Sequence, residues 1–318
     1  MSKECKQPHC FAPDVPCHLG EEDKNKCSLW KEANGHAAPG QGAPSEDLLL
    51  PWSGSSLGTV DLPFVVGRSN ATVIGIVGPH NSGKTTLLAA WYLLLGQGHR
   101  VPHHLFAGSY TMNGWESIAH SLRWEGPTGP TFPLHTSSGS GRSPGLLHAA
   151  FRRGEFQSSD FLFADAPGEW FKRWAINREA EDAVGARWVA YHAELFLLIA
   201  DCEALSGPSK GNARNALQLM AQRLGAERQR RPVALVWSKS DITVSDEIRH
   251  PLRELAHRTI PDLKEFSVSV YPSEKESDQI GENHMALLEW VMTQDPIRAP
   301  VPSLPLVTDD PFLAFGRV

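Results

Sequence analysis

Eight consecutive residues, Gly78-Pro79-His80-Asn81-Ser82-Gly83-Lys84-Thr85, follow the pattern G-x-x-x-x-G-K-[ST]. Those residue types at that spacing suit the binding of phosphate groups. Gly78 and Gly83 let the backbone curl, so that N–H groups of His80, Asn81, Ser82 and Thr86 can surround phosphate oxygens at the positive end of a helix. Lys84 has the reach to serve β- and γ-phosphates, and the Thr85 hydroxyl is a candidate ligand for Mg²⁺. An ordinary glycine-rich turn between strand and helix is the alternative reading.

Two further constellations lie farther along the chain. In FLFADAPGE, Asp165 ends an apolar run where a carboxylate can hold Mg²⁺ through water, and Gly168 comes three residues later, where a backbone N–H can sense a γ-phosphate. The D-x-x-G spacing leans toward GTP rather than ATP; a common strand-end turn would also use an Asp and a Gly. Ser238-Lys239-Ser240-Asp241 then comes directly after the run VALVW. A carboxylate at Asp241 can accept hydrogen bonds from both N1–H and the 2-amino group of guanine, a pair that adenine does not present. Lys239 would lay its aliphatic stem along the purine face, and Ser238 would tie this loop to the phosphate loop. Ser269 stands where a small residue could contact the base, or it simply ends a strand. SKSD alone is made of ordinary loop residues, and its order and spacing after the other two motifs give it weight.

Such distant loops need a scaffold that brings them together. From residue 70 the chain alternates short apolar runs with longer helical patterns, as a parallel sheet covered by helices requires. Strands are predicted at 71–77, 161–164, 195–200, 233–237 and 266–270, with a further one in GLLHAAFRR; helices are predicted at 84–95, 171–192, 212–224, 246–258 and 283–292. The expected fold is α/β, a P-loop NTPase domain over residues 70–295 with a mostly parallel sheet and helices on both faces.

The rest of the chain reads differently. Residues 1–35 are polar and rich in Cys and His, too short to bury a core without a staple. Cys5, Cys10, Cys17 and Cys27, spaced C-x₄-C-x₆-C-x₉-C, could close a tetrahedral Zn²⁺ site; a reduced segment without metal or a redox role are the alternatives. Residues 36–69 are Gly-, Pro- and Ser-rich and read as a linker that packs a few apolar side chains against the adjoining domain, while residues 296–318 read as an extended, Pro-rich tail. The 30 basic and 36 acidic residues, net −6, offer no general attraction for nucleic acid or an anionic membrane. No run approaches the roughly 18 apolar residues of a membrane span, and the N-terminus lacks an apolar signal core, so a cytoplasmic protein is expected.

With GPHNSGKTT, DAPGE and SKSD in this order, the chain resembles Ras-like, TRAFAC-class GTPases. It is most similar to the bacterial double-GTPase type found in conflict or defence gene clusters, through the fuller strings LFAGSYTMNGWE, DAPGEWFKRW, ADCEALSGP and CHLG. That resemblance implies a G-domain binding GTP or GDP with Mg²⁺ and a regulatory role in a defence system. Three departures stand out. His80 occupies a loop position that is Gly in Ras. Glu169 stands where Ras-like enzymes place a water-orienting Gln, which implies slow hydrolysis. The switch-I threonine is ambiguous, with Thr136 chosen ahead of Thr131. Arg142 or Arg173 could supply a catalytic arginine in cis. Trp170 and Phe171 belong either to a partner surface or to the core.

The leading expectation is a GTP-binding molecular switch that hydrolyses GTP slowly and signals to a protein effector or regulator encoded nearby, with a homo-oligomer left open. A nucleotide-binding scaffold without hydrolysis is the alternative.

Overall fold

Alternation within the apolar runs decides which side chain faces which layer. In β1 (Ala71–Val77), Ile74 and Ile76 join one core, while Val73 and Val77 face another. In β5 (Leu195–Asp201), Leu195, Leu197 and Ile199 share the first core; Phe196, Leu198 and Ala200 share the second. The runs look continuous in sequence because the sheet is buried on both faces.

The computed structural model describes residues 26–27, 29, 56–67, 71–123, 144–154, 157–270 and 279–294. The chain divides into two units, Met1–Pro51 and Trp52–Val318, and nearly all described residues belong to the second. The second unit holds a seven-stranded sheet of order β2-β3-β4-β1-β5-β6-β7. The other strands are β2 (Leu105–Gly108), β3 (Gly145–Arg153), β4 (Gln157–Asp165), β6 (Val233–Ser238) and β7 (Lys264–Val268). Neighbours from β4 through β7 pair in parallel, and β3 pairs antiparallel with β4 and β2.

One face is covered by α2 (Lys84–Gly96), α3 (Met112–His120) and α9 (Gln279–Thr293), which contribute Leu88, Trp91, Trp115 and Leu287 to its core. The other is covered by α4 (Gly168–Ile176), α5 (Val184–His192), α7 (Lys210–Glu227) and α8 (Asp246–Thr259), through Phe171, Trp174, Val189, Met220 and Leu252. A short α6 (Cys202–Ser206) comes directly after β5. Residues 56–67 also pack on this unit. Leu57 exchanges both backbone hydrogen bonds with Leu146 and is fully buried, and α1 (Leu62–Val66) buries Val65.

The predicted single helix at 171–192 is instead two helices joined through a 3-10 turn at Glu181–Ala183. Asn177 takes an extended conformation after α4, and its side-chain oxygen accepts from the Glu179 N–H at 3.1 Å. That local bond competes with the helical one and ends the helix. The last strand starts at Lys264 and stops at Val268, so Ser269 lies beyond it.

β2, α3 and the loop between them were not predicted, and their anchor is a buried polar cluster. His148 on β3 and Asp160 on β4 are 1% and 0% exposed and meet at 2.9 Å. The Tyr110 N–H donates to Nδ1 of His148, so Nε2 carries the proton that is donated to Asp160. The His148 carbonyl accepts from Ser109 and from the Trp115 indole, and its N–H donates to Thr111. His148→Ala removes a partner from a buried carboxylate, and should destabilise the fold by on the order of 3 kcal/mol. Urea denaturation should show this as a lowered midpoint; a change under about 1 kcal/mol would mean that the cluster is not an anchor.

Candidate functional site

The loop after β1 is set by its glycines and by its own side chains. Gly83 sits at φ +81°, where a side chain is strained, and a Cβ on Gly78 would come within 2.8 Å of the Ser82 hydroxyl and 2.9 Å of Ile199. Ser82 Oγ donates to the Pro79 carbonyl at 2.9 Å. No side chain caps the start of α2, so its first N–H groups face the loop. Lys84 is 7% exposed and its ammonium donates to the Pro79 carbonyl at 2.8 Å and to the Gly78 carbonyl at 3.4 Å. Burial pushes the Lys84 value down to about 8, against the pull of Asp165, Glu169 and Asp201.

Because β4 lies beside β1 in parallel, its end delivers Asp165 to the same place. Thr85 Oγ1 donates to Asp165 at 2.9 Å to one oxygen, with the other at 3.2 Å. Gly168 then packs on the phosphate loop so closely that a Cβ there would overlap the Pro79 carbonyl and the His80 amide. The next residue, Glu169, turns its carboxylate to His80, with Nδ1 and Oε1 2.8 Å apart. Trp170 and Phe171 point inward; Phe171 is fully buried, and the Trp170 ring lies where a Cβ on Gly185 of α5 would be. They are core residues.

At the other end, β6 delivers Ser238, whose hydroxyl donates to the Ser82 carbonyl at 2.9 Å. Lys239, at φ +52°, reaches back to the Asn81 carbonyl at 2.9 Å. Its ammonium also meets Asp201 at 3.0 Å and Glu203 at 2.7 Å. Burial alone would lower the Lys239 value, but the Glu203 and Asp201 carboxylates outweigh it and raise it. Asp241 accepts a hydrogen bond from the Ser269 hydroxyl.

Residues of these segments line one cleft of about 520 Å³ at the C-terminal edge of the sheet, where the loop after β1 lies between β4 and β5. Such an edge is where open α/β sheets bind ligands, and the volume suits a nucleotide. His80 through Leu87, Pro167, Gly168, Ser238, Lys239, Asp241 and Ser269 all border it. A second groove of about 760 Å³, around Arg100, His103 and Arg152, shares none of these residues.

Asp201 and Glu203 were missed as site residues. Asp201 ends the apolar run of β5, a position of the same kind as Asp165, and its carboxylate also caps α6 by accepting from the N–H groups of Glu203 and Ala204. His284 of α9 borders the cleft and was likewise missed. Arg173 is paired with Asp182 at 3.2 Å. Thr131, Thr136, Arg142, Cys5, Cys10 and Cys17 lie outside the described residues. Cys27 is a half-buried free thiol, and among the described residues no three His, Cys, Asp or Glu side chains are grouped to hold a metal. Burial pushes the Cys202 thiol up to about 11, which keeps it unreactive. No helix among the described residues is long and apolar enough to cross a membrane.

Curated proteins include no match to this chain. Residues 72–291, from the second residue of β1 to within α9, match the profile of the Double-GTPase 2 family. With the loop after β1, the residues after β4 and the loop after β6 converging on one cleft, the chain belongs to the Double-GTPase 2 family and is a GTP-binding GTPase.

Proposed function

We propose that this chain is a guanine-nucleotide switch: it holds GTP or GDP in the described cleft, hydrolyses GTP slowly, and presents the segment after Gly168 to a protein partner in a nucleotide-dependent form. The observation that carries the reading is the packing of Gly168 on the Pro79–His80 peptide, which makes any change at the phosphate loop a change at α4.

Each group in the cleft has a task under this proposal. Lys84 exchanges its loop carbonyls for β- and γ-phosphate oxygens, and the N–H groups from His80 to Thr86 hold the remaining ones. Asp241 accepts from the guanine N1–H and 2-amino groups, with its carboxylate oriented by Ser269. Lys239, stretched between Asn81 and the Asp201–Glu203 pair, lays its stem along the base. Thr85 and Asp165 present hydroxyl and carboxylate oxygens, the hard ligands that suit Mg²⁺. Bound there, the ion would neutralise charge on the β- and γ-phosphates. Glu169 contributes a hydrogen-bond acceptor for water beside the phosphate loop. Ile176 at the end of α4 and Tyr191 on α5 are 60% and 78% exposed, which supports a protein contact on this side.

Three outcomes are expected. Competition binding with fluorescent nucleotides should show guanine preferred over adenine, with Asp241→Asn lowering GTP affinity at least about 100-fold and improving xanthine nucleotide binding, because a carboxamide can donate to the xanthine 2-carbonyl. Equal affinity of the unmutated chain for ATP would overturn the assignment of Asp241. Lys84→Ala should weaken GDP by about 10- to 100-fold. Affinity for GDP should be level below pH 7 and fall by up to about tenfold per pH unit above pH 8, since Lys84 must keep its proton to hold phosphate and the free protein releases it near 8. In Lys84→Arg that decline should disappear, and its persistence would assign the pH dependence to another group.

A further inference from the structure

Two residues that set this chain apart from Ras, His80 in the phosphate loop and Glu169 after D-x-x-G, face each other with Nδ1 and Oε1 2.8 Å apart. His80 lies in the phosphate loop and Glu169 in the first turn of α4, and the packing of Gly168 on the Pro79–His80 peptide brings them together. His80 borders the cleft, and both side chains are about half exposed, at 47% and 53%, so water reaches them.

The chemistry of the pair differs from that of a single carboxamide. A Gln side chain can accept a hydrogen bond from water and donate one from its NH₂ group. A carboxylate only accepts, and beside a γ-phosphate its charge is repelled. An imidazole that donates its Nδ1 proton to the carboxylate disperses part of that charge and fixes the carboxylate's orientation, leaving the other oxygen to accept from water. The influence of Glu169 reaches the phosphate lysine, because its carboxylate is one of the charges that pull the Lys84 value up. The pair therefore lies close enough to the loop and its lysine for its charge to be felt there.

We propose that His80 is a positioning residue for GTP hydrolysis: by donating from Nδ1 to Glu169 Oε1 it holds the carboxylate over the phosphate loop, so that Glu169 orients the attacking water. This rests on the guanine-nucleotide reading of the cleft. In the step itself, the water oxygen bonds to the γ-phosphorus as that phosphorus parts from the oxygen bridging it to the β-phosphate. The bonding pair leaves with GDP, and the proton lost by water is taken by Glu169 and passed to the departing phosphate. The His80 imidazole keeps its Nδ1 proton throughout and contacts neither the attacking water nor the γ-phosphate.

The test is single-turnover GTP hydrolysis by the full chain with Mg²⁺, alongside GTP affinity, for His80→Ala, Glu169→Ala, the double variant, and Glu169→Gln alone and with His80→Gly. His80→Ala and Glu169→Ala should each slow hydrolysis by about 10- to 100-fold with affinity changed less than threefold, and the double variant should be no slower than either single one. Glu169→Gln should restore at least tenfold in the His80→Gly background, since a carboxamide needs no histidine to complete it. If His80→Ala hydrolyses within twofold of the unmutated chain, if the two losses multiply in the double variant, or if Glu169→Gln fails to rescue, His80 does not act through Glu169. If the unmutated chain does not bind guanine nucleotide selectively, the reading of the cleft falls first, and this inference with it.

Discussion

The peptide between Pro79 and His80 lies against Gly168 with no space for a side chain between them. Much of the site depends on that contact. It requires β1 and β4 to be parallel neighbours, so that the residues after both strands leave the sheet on the same edge. It places Asp165 within reach of Thr85, and it carries Glu169 to His80. Packing on the far side of α4 completes the arrangement, because Phe171 and Trp174 are fully buried and Trp170 fills the space that Gly185 leaves open. A helix anchored by large aromatic side chains on one side and by backbone contact on the other has two well-packed boundaries. Interiors of that kind move between discrete arrangements more readily than they deform.

A second set of bonds links the two ends of the cleft. Ser238 is hydrogen-bonded to the Ser82 carbonyl and Lys239 to that of Asn81, so the loop after β6 is tied directly to the loop after β1. Asp201 does two things at this junction. It caps α6 and it neutralises the Lys239 ammonium, together with Glu203. An ammonium held by three oxygens has little freedom left, and its four-carbon stem is stretched into a wall. The cost of ordering that side chain is met before any ligand arrives, which is how preorganisation favours affinity.

The strands that bear motifs were legible in sequence because each is an apolar run ended by a polar residue with a task, as at Asp165 and Ser238, or by the phosphate loop itself, as after Val77. The break in the helix at Asn177 was not, since one side-chain hydrogen bond overrode an otherwise helical pattern. Nor were β2 and α3, whose string LFAGSYTMNGWE lacks a clear period. Its Ser109, Thr111 and Trp115 are spent on the backbone of His148, a contact that depends on β3 being at hand. Asp201 was hidden for a similar reason. It faces Ser238 through the register of β5 with β6, and no spacing along the chain reveals that pairing. His80 and Glu169 were each visible as departures from a resemblance, while their partnership is a property of the fold.

Amide hydrogen exchange would test the central link most directly, comparing the chain bound to Mg²⁺ and GDP with the chain bound to Mg²⁺ and a non-hydrolysable GTP analogue. If the Gly168 contact transmits the presence of the third phosphate, protection should change together at the amides of His80 to Gly83 and of Gly168 to Phe171, while the central strands β5 and β6 exchange alike in both states. Equal exchange in the 168–171 segment with either nucleotide would contradict the account, because the contact would then hold the two loops together without carrying a signal.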